Sequence, residues 1–320
     1  MNRKSLFPYF LLFGAIAATL ISSCKDIIEP SITDRTITAE APGDKFQTTS
    51  YNINFWWDDV DDALQYRLQV VTSKFDSVPG LVLDTVVKAT KFSINLNPGN
   101  YQWRVRAENG STKTNYSQAK SFTILQSSIK PQTVQLYTPA NNFLTNQSSI
   151  AFSWGSLYGA TQYHLEIDTA NFVDESHIYY DKSIPGQQIS VSLTRDQVYQ
   201  WRVRAENDTA QSKWSPVYSF TFDHTPPAVV TLGAPADKQS VGSPVSLQWN
   251  SASTAIKYRL YLYKSDGVTS YAGNFPISLT TNSYSFTTGV SGDTVYWKVT
   301  AIDAAGNESA ASTTRSFMIQ

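Results

Sequence analysis

The 320-residue chain carries 8 Trp, 18 Tyr and 16 Phe against 16% charged residues, which is enough apolar material for a packed core and excludes a disordered chain. A formal charge of -1 leaves no basic footprint for nucleic acid, and the single cysteine excludes an intramolecular disulfide or a cysteine-rich zinc centre. The three histidines, His164, His177 and His224, lie far apart without metal-ligand spacing, so no metal and no cofactor are expected.

At the amino terminus Arg3 and Lys4 precede a mostly apolar run over residues 6–21, too short and too closely followed by polar residues for a comfortable membrane span. The run closes on Ile21-Ser22-Ser23-Cys24, which resembles the lipobox of bacterial lipoproteins. The resemblance implies that residues 1–23 are a cleaved signal peptide and that Cys24 is lipidated and becomes the first residue of the mature chain. Several acyl chains together anchor stably, because each buried methylene contributes about 0.8 kcal/mol. Lys25-Asp26-Ile27-Ile28-Glu29 loosely resembles the acidic stretch of surface-exported lipoproteins of Bacteroidetes-type bacteria, which implies an outer-membrane, surface-exposed address. Residues 24–35 are expected to form a polar, extended tether.

The rest of the chain repeats itself. A Trp is followed after six residues by Ala and after nine by Tyr in Trp57, Ala63, Tyr66, again in Trp154, Ala160, Tyr163, and again in Trp249, Ala255, Tyr258. Before each Trp stands a proline followed by a small residue and Asp or Asn: Pro42-Gly43-Asp44, Pro139-Ala140-Asn141 and Pro235-Ala236-Asp237. Behind it comes Tyr101-Gln102-Trp103-Arg104-Val105-Arg106-Ala107-Glu108-Asn109, repeated almost unchanged from Tyr199 to Asn207 and more loosely from Val295 to Asp303. All of these segments alternate with period two. Ile53, Phe55 and Trp57 share one face, as do Tyr66, Leu68 and Val70, so the segments are strands. Frequent Gly, Pro, Asn and Ser turns and the lack of long amphipathic helical stretches point to antiparallel β-sandwiches.

With the Trp, the Tyr and the Tyr-x-x-x-Val-x-Ala-x-Asn run in place, the chain resembles the fibronectin type III family over roughly residues 36–320. The resemblance implies an all-β chain of three tandem fibronectin type III or immunoglobulin-like sandwiches, at 36–125, 129–222 and 225–320. Proline-containing linkers at 126–131 and 223–227 should restrict bending between them. The third copy departs from the pattern, with Val295 at the position of the corner tyrosine and Asp303 in place of the Asn.

Trp57, Tyr66, Trp103, Trp154, Tyr163, Trp201, Trp249, Tyr258 and Trp297 are read as core. Arg104, Arg106, Arg202 and Arg204 point outward and are read as a ladder across neighbouring aromatics and acids such as Glu166, and Trp214 is expected either to pack at a strand edge or to stack on outward arginines. Asp303-Ala304-Ala305-Gly306-Asn307 reads as a turn. Asp58-Asp59-Val60-Asp61-Asp62 is oxygen-rich but lacks the spacing of an EF-hand, and a solvated loop is favoured over a calcium site. Candidate binding residues are Trp56, which parity places on the outer face, and the outward Arg259, Tyr261, Tyr263, Tyr296 and Lys298 of the third copy, where tyrosines offer contact area at low entropy cost. No segment suggests a nucleophile with its base or a facing carboxylate pair, and three sandwiches leave no stretch for a catalytic domain. The expected role is a non-catalytic, rod-like protein-interaction or spacer arm docking on an envelope protein or assembly. The other reading is an accessory glycan-binding lipoprotein of a polysaccharide uptake system.

Overall fold

A computed structural model describes residues 29–76 and 80–320, apart from the His177 side chain. The signal peptide and Cys24 lie outside the described residues. Each of the three sequence repeats folds into two packed sheets, one of three strands and one of five, or of six in the second repeat.

Module 1 comprises β1 (Ala39–Ala41), β2 (Phe46–Thr48), β3 (Asn52–Trp57), β4 (Gln65–Thr72), β5 (Gly80–Val87), β6 (Lys91–Asn95), β7 (Gly99–Glu108) and β8 (Lys120–Ile124), in sheets ordered β1-β3-β6 and β2-β8-β7-β4-β5. Module 2 repeats this with β9 (Leu136–Thr138), β10 (Phe143–Thr145), β11 (Ser149–Trp154), β12 (Gln162–Asp168), β13 (Tyr180–Ile184), β14 (Gln188–Ser192), β15 (Gln197–Asn207) and β17 (Tyr218–Phe222), plus the short β16 (Ala210–Gln211) on β15. Module 3 holds β18 (Leu232–Ala234), β19 (Gln239–Val241), β20 (Val245–Trp249), β21 (Ala255–Tyr263), β22 (Ile277–Leu279), β23 (Ser283–Phe286), β24 (Thr294–Asp303) and β25 (Arg315–Ile319). In each module the chain enters on the small sheet and then crosses to the large one, where β2, β10 and β19 run parallel to β8, β17 and β25.

The repeated residues have repeated jobs. The strand-to-strand crossing is made at cis Pro42, Pro139 and Pro235. Two residues on, Asp44, Asn141 and Asp237 accept the backbone N–H of Ser121, Ser219 and Ser316 at 2.9, 2.9 and 2.8 Å. Those bonds hold the Asp44 and Asp237 carboxyls below the usual aspartate range. The Trp and Tyr of each signature meet across the core at ring separations of 5.6, 5.9 and 5.7 Å. The hydroxyls of Tyr66, Tyr163 and Tyr258 then accept a backbone N–H from Val60, Leu157 and Ala252, tying down the loop between the sheets. Burial, with the bond to Asp59 adding to it, pushes the Tyr66 phenol up to about 12.

Trp57, Trp103, Trp154, Trp201, Trp249 and Trp297 are all buried, together with Tyr66, Tyr163 and Tyr258. The corner tyrosines Tyr101 and Tyr199 donate to the carbonyls of Asn97 and Arg195 at 2.8 and 3.0 Å. In module 3 Val295 leaves that bond unmade, and Tyr271 supplies an aromatic from another element. Its ring packs edge-on against Phe286 at 5.0 Å, and its hydroxyl donates to Asp293 at 2.5 Å.

The leader departs from an extended tether. From Glu29 onward it is docked on module 1: Ile32 is fully buried, its N–H donates to Thr112 at 3.0 Å, and Glu29 accepts the Gly110 N–H at 2.5 Å. An isoleucine in the leader gains more from the module's apolar edge than from solvent, so the segment collapses onto it.

Modules 1 and 2 share one continuous apolar core, whereas module 3 has its own. Gln132 explains much of the first junction. It is buried, accepts the Tyr51 N–H at 2.8 Å, and donates to the Thr49 carbonyl at 2.7 Å and the Ser127 hydroxyl at 2.9 Å. Tyr51 also meets Tyr158 edge-on at 6.2 Å. At the second junction the expected turn does more than reverse the chain. Asp303 accepts the Asn307 N–H, and the Asn307 amide donates to the Asp223 carbonyl at 2.8 Å. Gly306 supplies the positive φ of 93°.

Candidate functional site

The outward face of the large sheet differs between modules. In module 1 the Arg104 guanidinium lies between Phe75 and Tyr116, 4.1 and 4.2 Å from the ring centroids, with Arg106 4.7 Å from Tyr116. In module 2 Arg202 lies between Phe172 and Trp214 at 4.1 and 4.3 Å, and Arg204 is 4.6 Å from Trp214. Stacking of a guanidinium on an aromatic face is favourable by about 0.5–2 kcal/mol, and here it closes the face over with a layer of alternating rings and cations. The expected arginine ladder is therefore present, with loop residues Phe75 and Phe172 as its unexpected outer covers.

Module 3 lacks that cover. Ala311 stands where the other modules place Tyr116 and Trp214, since Ser117, Ser215 and Ser312 each follow and donate their N–H to Val105, Val203 and Val299. Lys298 replaces Arg104 and Arg202, and the aromatics come from β21 instead. The β21–β24 register sets Tyr261 opposite Lys298 and Tyr263 opposite Tyr296. The Tyr261 and Tyr263 rings lie nearly parallel, 12° apart in plane and 6.4 Å between centroids, with Lys298 Nζ 5.4 and 5.5 Å from them. All five candidate residues of this face are half-buried. Arg259 bonds to Glu308 at 2.5 Å, and the Tyr261 hydroxyl and Glu308 hold its guanidinium above the ordinary value. Beside the face, Asp266 accepts the N–H groups of Val268 and Thr269 and the Thr269 hydroxyl, which rigidifies the loop and pulls its carboxyl down to about 2. Gly267 in that loop approaches the Tyr296 ring. A polar cleft of about 480 Å³ lined by Lys264, Tyr271, Asp293 and Thr294 adjoins it.

Trp56 lies on the small sheet of module 1, as parity requires, and is 51% exposed while Trp57 is 2% exposed. It is remote in sequence and sheet from the tyrosine face. In the acidic loop Asp61 and Asp62 share Arg35, and Asp59 accepts the Tyr66 hydroxyl.

One cluster was missed by sequence spacing. His164 and Glu166 alternate on β12, and Asp181 lies opposite Glu166 on β13, so that their ligating atoms fall within 4.8 Å of one another. A His-x-Glu pair on a strand was the available signal, but its third member is a cross-strand neighbour that no local spacing reports.

Strand order, sheet crossing and register define the protein as a tandem array of three β-sandwiches of the fibronectin type III and immunoglobulin-like class. Among solved structures, the chain is similar to the FN1–FN3 domains of chicken CNTN1, with 15% identity, TM-score 0.44, and coverage of 88% of this chain and 97% of that one. It is also similar to the fibronectin(III)-like modules of Clostridium thermocellum CbhA, with 14% identity, TM-score 0.23, and coverage of 58% and 94%. No protein-family description and no curated protein matches the chain. Among the described residues no helix is long and apolar enough to cross a membrane.

Proposed function

We propose that the protein is a non-catalytic interaction arm, anchored in the bacterial outer membrane through a lipid on Cys24 and exposed at the cell surface, with module 3 as its recognition end. The observation that carries this reading is the tyrosine cluster on the outer face of module 3. Modules 1 and 2 fill the same surface with arginines stacked between rings, whereas module 3 gathers three half-buried tyrosines, Tyr261, Tyr263 and Tyr296, around a single lysine. Tyrosine combines a large apolar ring with a polar tip and little conformational entropy to lose, which suits a protein-binding surface. A cross-strand aromatic pair that served the sheet alone would contribute only about 0.2–1 kcal/mol.

The near-parallel Tyr261 and Tyr263 rings also favour a second reading, in which sugar rings stack on them and the protein is an accessory glycan-binding component of a polysaccharide uptake system. A photo-crosslinking side chain at Tyr263 in the anchored full chain tests both readings, with position Glu175 as the module 2 control. A protein adduct from position 263 alone supports the interaction arm, and a carbohydrate-containing adduct supports the glycan reading. Equal or absent labelling at both positions overturns the assignment of this face. The parallel Cys24→Ser variant should lose acylation and membrane retention; if it keeps both, the anchor is refuted.

A further inference from the structure

We infer that module 2 carries a zinc-binding site formed by His164 Nε2, Glu166 Oε1 and Asp181 Oδ1 on the outer face of its large sheet. The three modules provide the internal comparison. In module 1 the corresponding position is Arg67, whose guanidinium bridges Asp84 at 2.9 Å and Glu108 at 3.1 Å. The register is the same in module 2, where Glu166 and Asp181 pair as Gln69 and Asp84 do. There the two flanking carboxylates are kept, as Asp181 and Glu206, but the arginine has become His164 and Gln69 has become Glu166. Module 2 has thus lost a fixed cation and gained a carboxylate at one spot. Arg202 and Arg204 engage Glu166 and Glu206 at 2.7 and 2.8 Å, leaving three carboxylates facing two guanidiniums.

His164 Nε2 stands 2.5 Å from Asp181 Oδ1 and 3.8 Å from Glu166 Oε1. At 2.5 Å the Nε2 and the Asp181 oxygen share a hydrogen, which is the Nε2 proton in the metal-free tautomer, and the Glu166 oxygen stands beside that bond at 3.8 Å. The other ring nitrogen permits the exchange. Nδ1 faces Glu206 Oε1 at 3.4 Å and an Arg204 nitrogen at 3.2 Å, so it accepts from arginine in one tautomer and donates to Glu206 in the other. In the second tautomer the Nε2 lone pair is free, and Glu206 backs the imidazole as second-sphere carboxylates back zinc-bound histidines. Trp214 packs against the ring at 5.5 Å and fixes its plane.

One imidazole and two carboxylates match the ligand preferences of Zn²⁺, with a fourth position open to water. Tetrahedral ligation places ligand atoms about 3.3 Å apart, given zinc–ligand distances of about 2.0–2.2 Å. Reaching that needs an outward swing of Asp181 from 2.5 Å, which its 57% exposed side chain on the edge strand β13 permits, and an approach of about 0.5 Å between His164 Nε2 and Glu166 Oε1 from 3.8 Å. Zinc there would fasten β13 to β12 as Arg67 fastens β5 to β4.

The test is zinc uptake by the full chain after removal of metals with a chelator, measured by calorimetric titration and elemental analysis. The wild type should take up one zinc ion per chain at micromolar concentration, with a raised midpoint of the joint unfolding transition of modules 1 and 2. His164→Arg, which installs the module 1 solution, should abolish uptake while keeping the fold, and Glu206→Gln should weaken it by about 10–100-fold. The site is overturned if no zinc binds below millimolar concentration, or if His164→Arg binds as the wild type does. Calcium uptake in place of zinc would also overturn it, because the imidazole would then play no part.

Discussion

Adjacent tryptophans on β3 provide the sharpest test of the strand assignment. Trp57 is 2% exposed and its ring meets Tyr66 at 5.6 Å, whereas Trp56 is 51% exposed and stands across from Lys91. Trp57→Ala removes a buried indole and leaves a cavity in a core that relaxes only partly, at a cost of about 3–5 kcal/mol. That is a large share of a small domain's typical stability of about 5–15 kcal/mol. Trp56→Ala forfeits mainly strand propensity and partial contact, a cost of about 1 kcal/mol. Modules 1 and 2 share a core, so they should melt together as a unit of roughly 190 residues, in which each kcal/mol shifts the midpoint by about 2–4 °C. Differential scanning calorimetry of the full chain should therefore show Trp57→Ala lowering this transition by about 6–20 °C and Trp56→Ala by about 2–4 °C, with module 3 unmoved in both. Equal losses for the two variants would refute the parity of β3, and an equal shift of module 3 would refute its separate core.

Gln132→Ala removes three hydrogen bonds at the first junction and leaves the Tyr51 N–H buried without its partner, a cost of about 1–3 kcal/mol. Calorimetry should then resolve the joint transition of modules 1 and 2 into two, and an unsplit transition at the parental temperature counts against the coupling. Acid stability separates the modules in another way. The Asp237 carboxyl is depressed when folded, so its contribution is present above the unfolded value of about 3.9 and is lost as pH falls through the lower folded value. Asp237→Asn, which copies Asn141 of module 2, should make the unfolding midpoint of module 3 fall less between pH 7 and pH 3. An unchanged pH dependence would contradict the role of the Ser316 contact.

The amino-acid sequence by itself determined the three modules, the inward and outward faces of their signature strands, and the exposure of Trp56 beside buried Trp57. These depend on a side-chain period of two and on a repeated Trp, Ala and Tyr, which are properties of a few consecutive residues. Tyr261, Tyr263 and Lys298 were legible for the same reason, because parity names them and the sandwich order makes β21 and β24 neighbours. Tertiary structure alone decided where loops and edges go. Phe75 and Phe172 cover the arginine ladder from irregular segments with no period, and Tyr271 takes over aromatic packing near Val295 from a different connection. Ile32 pulls the leader onto module 1 because apolar surface is available there, which no local pattern in the leader encodes. Asp181 joins His164 and Glu166 through the register of β12 with β13. Register is fixed by the turn and by burial of the opposite face, both distant in sequence from the residues it brings together.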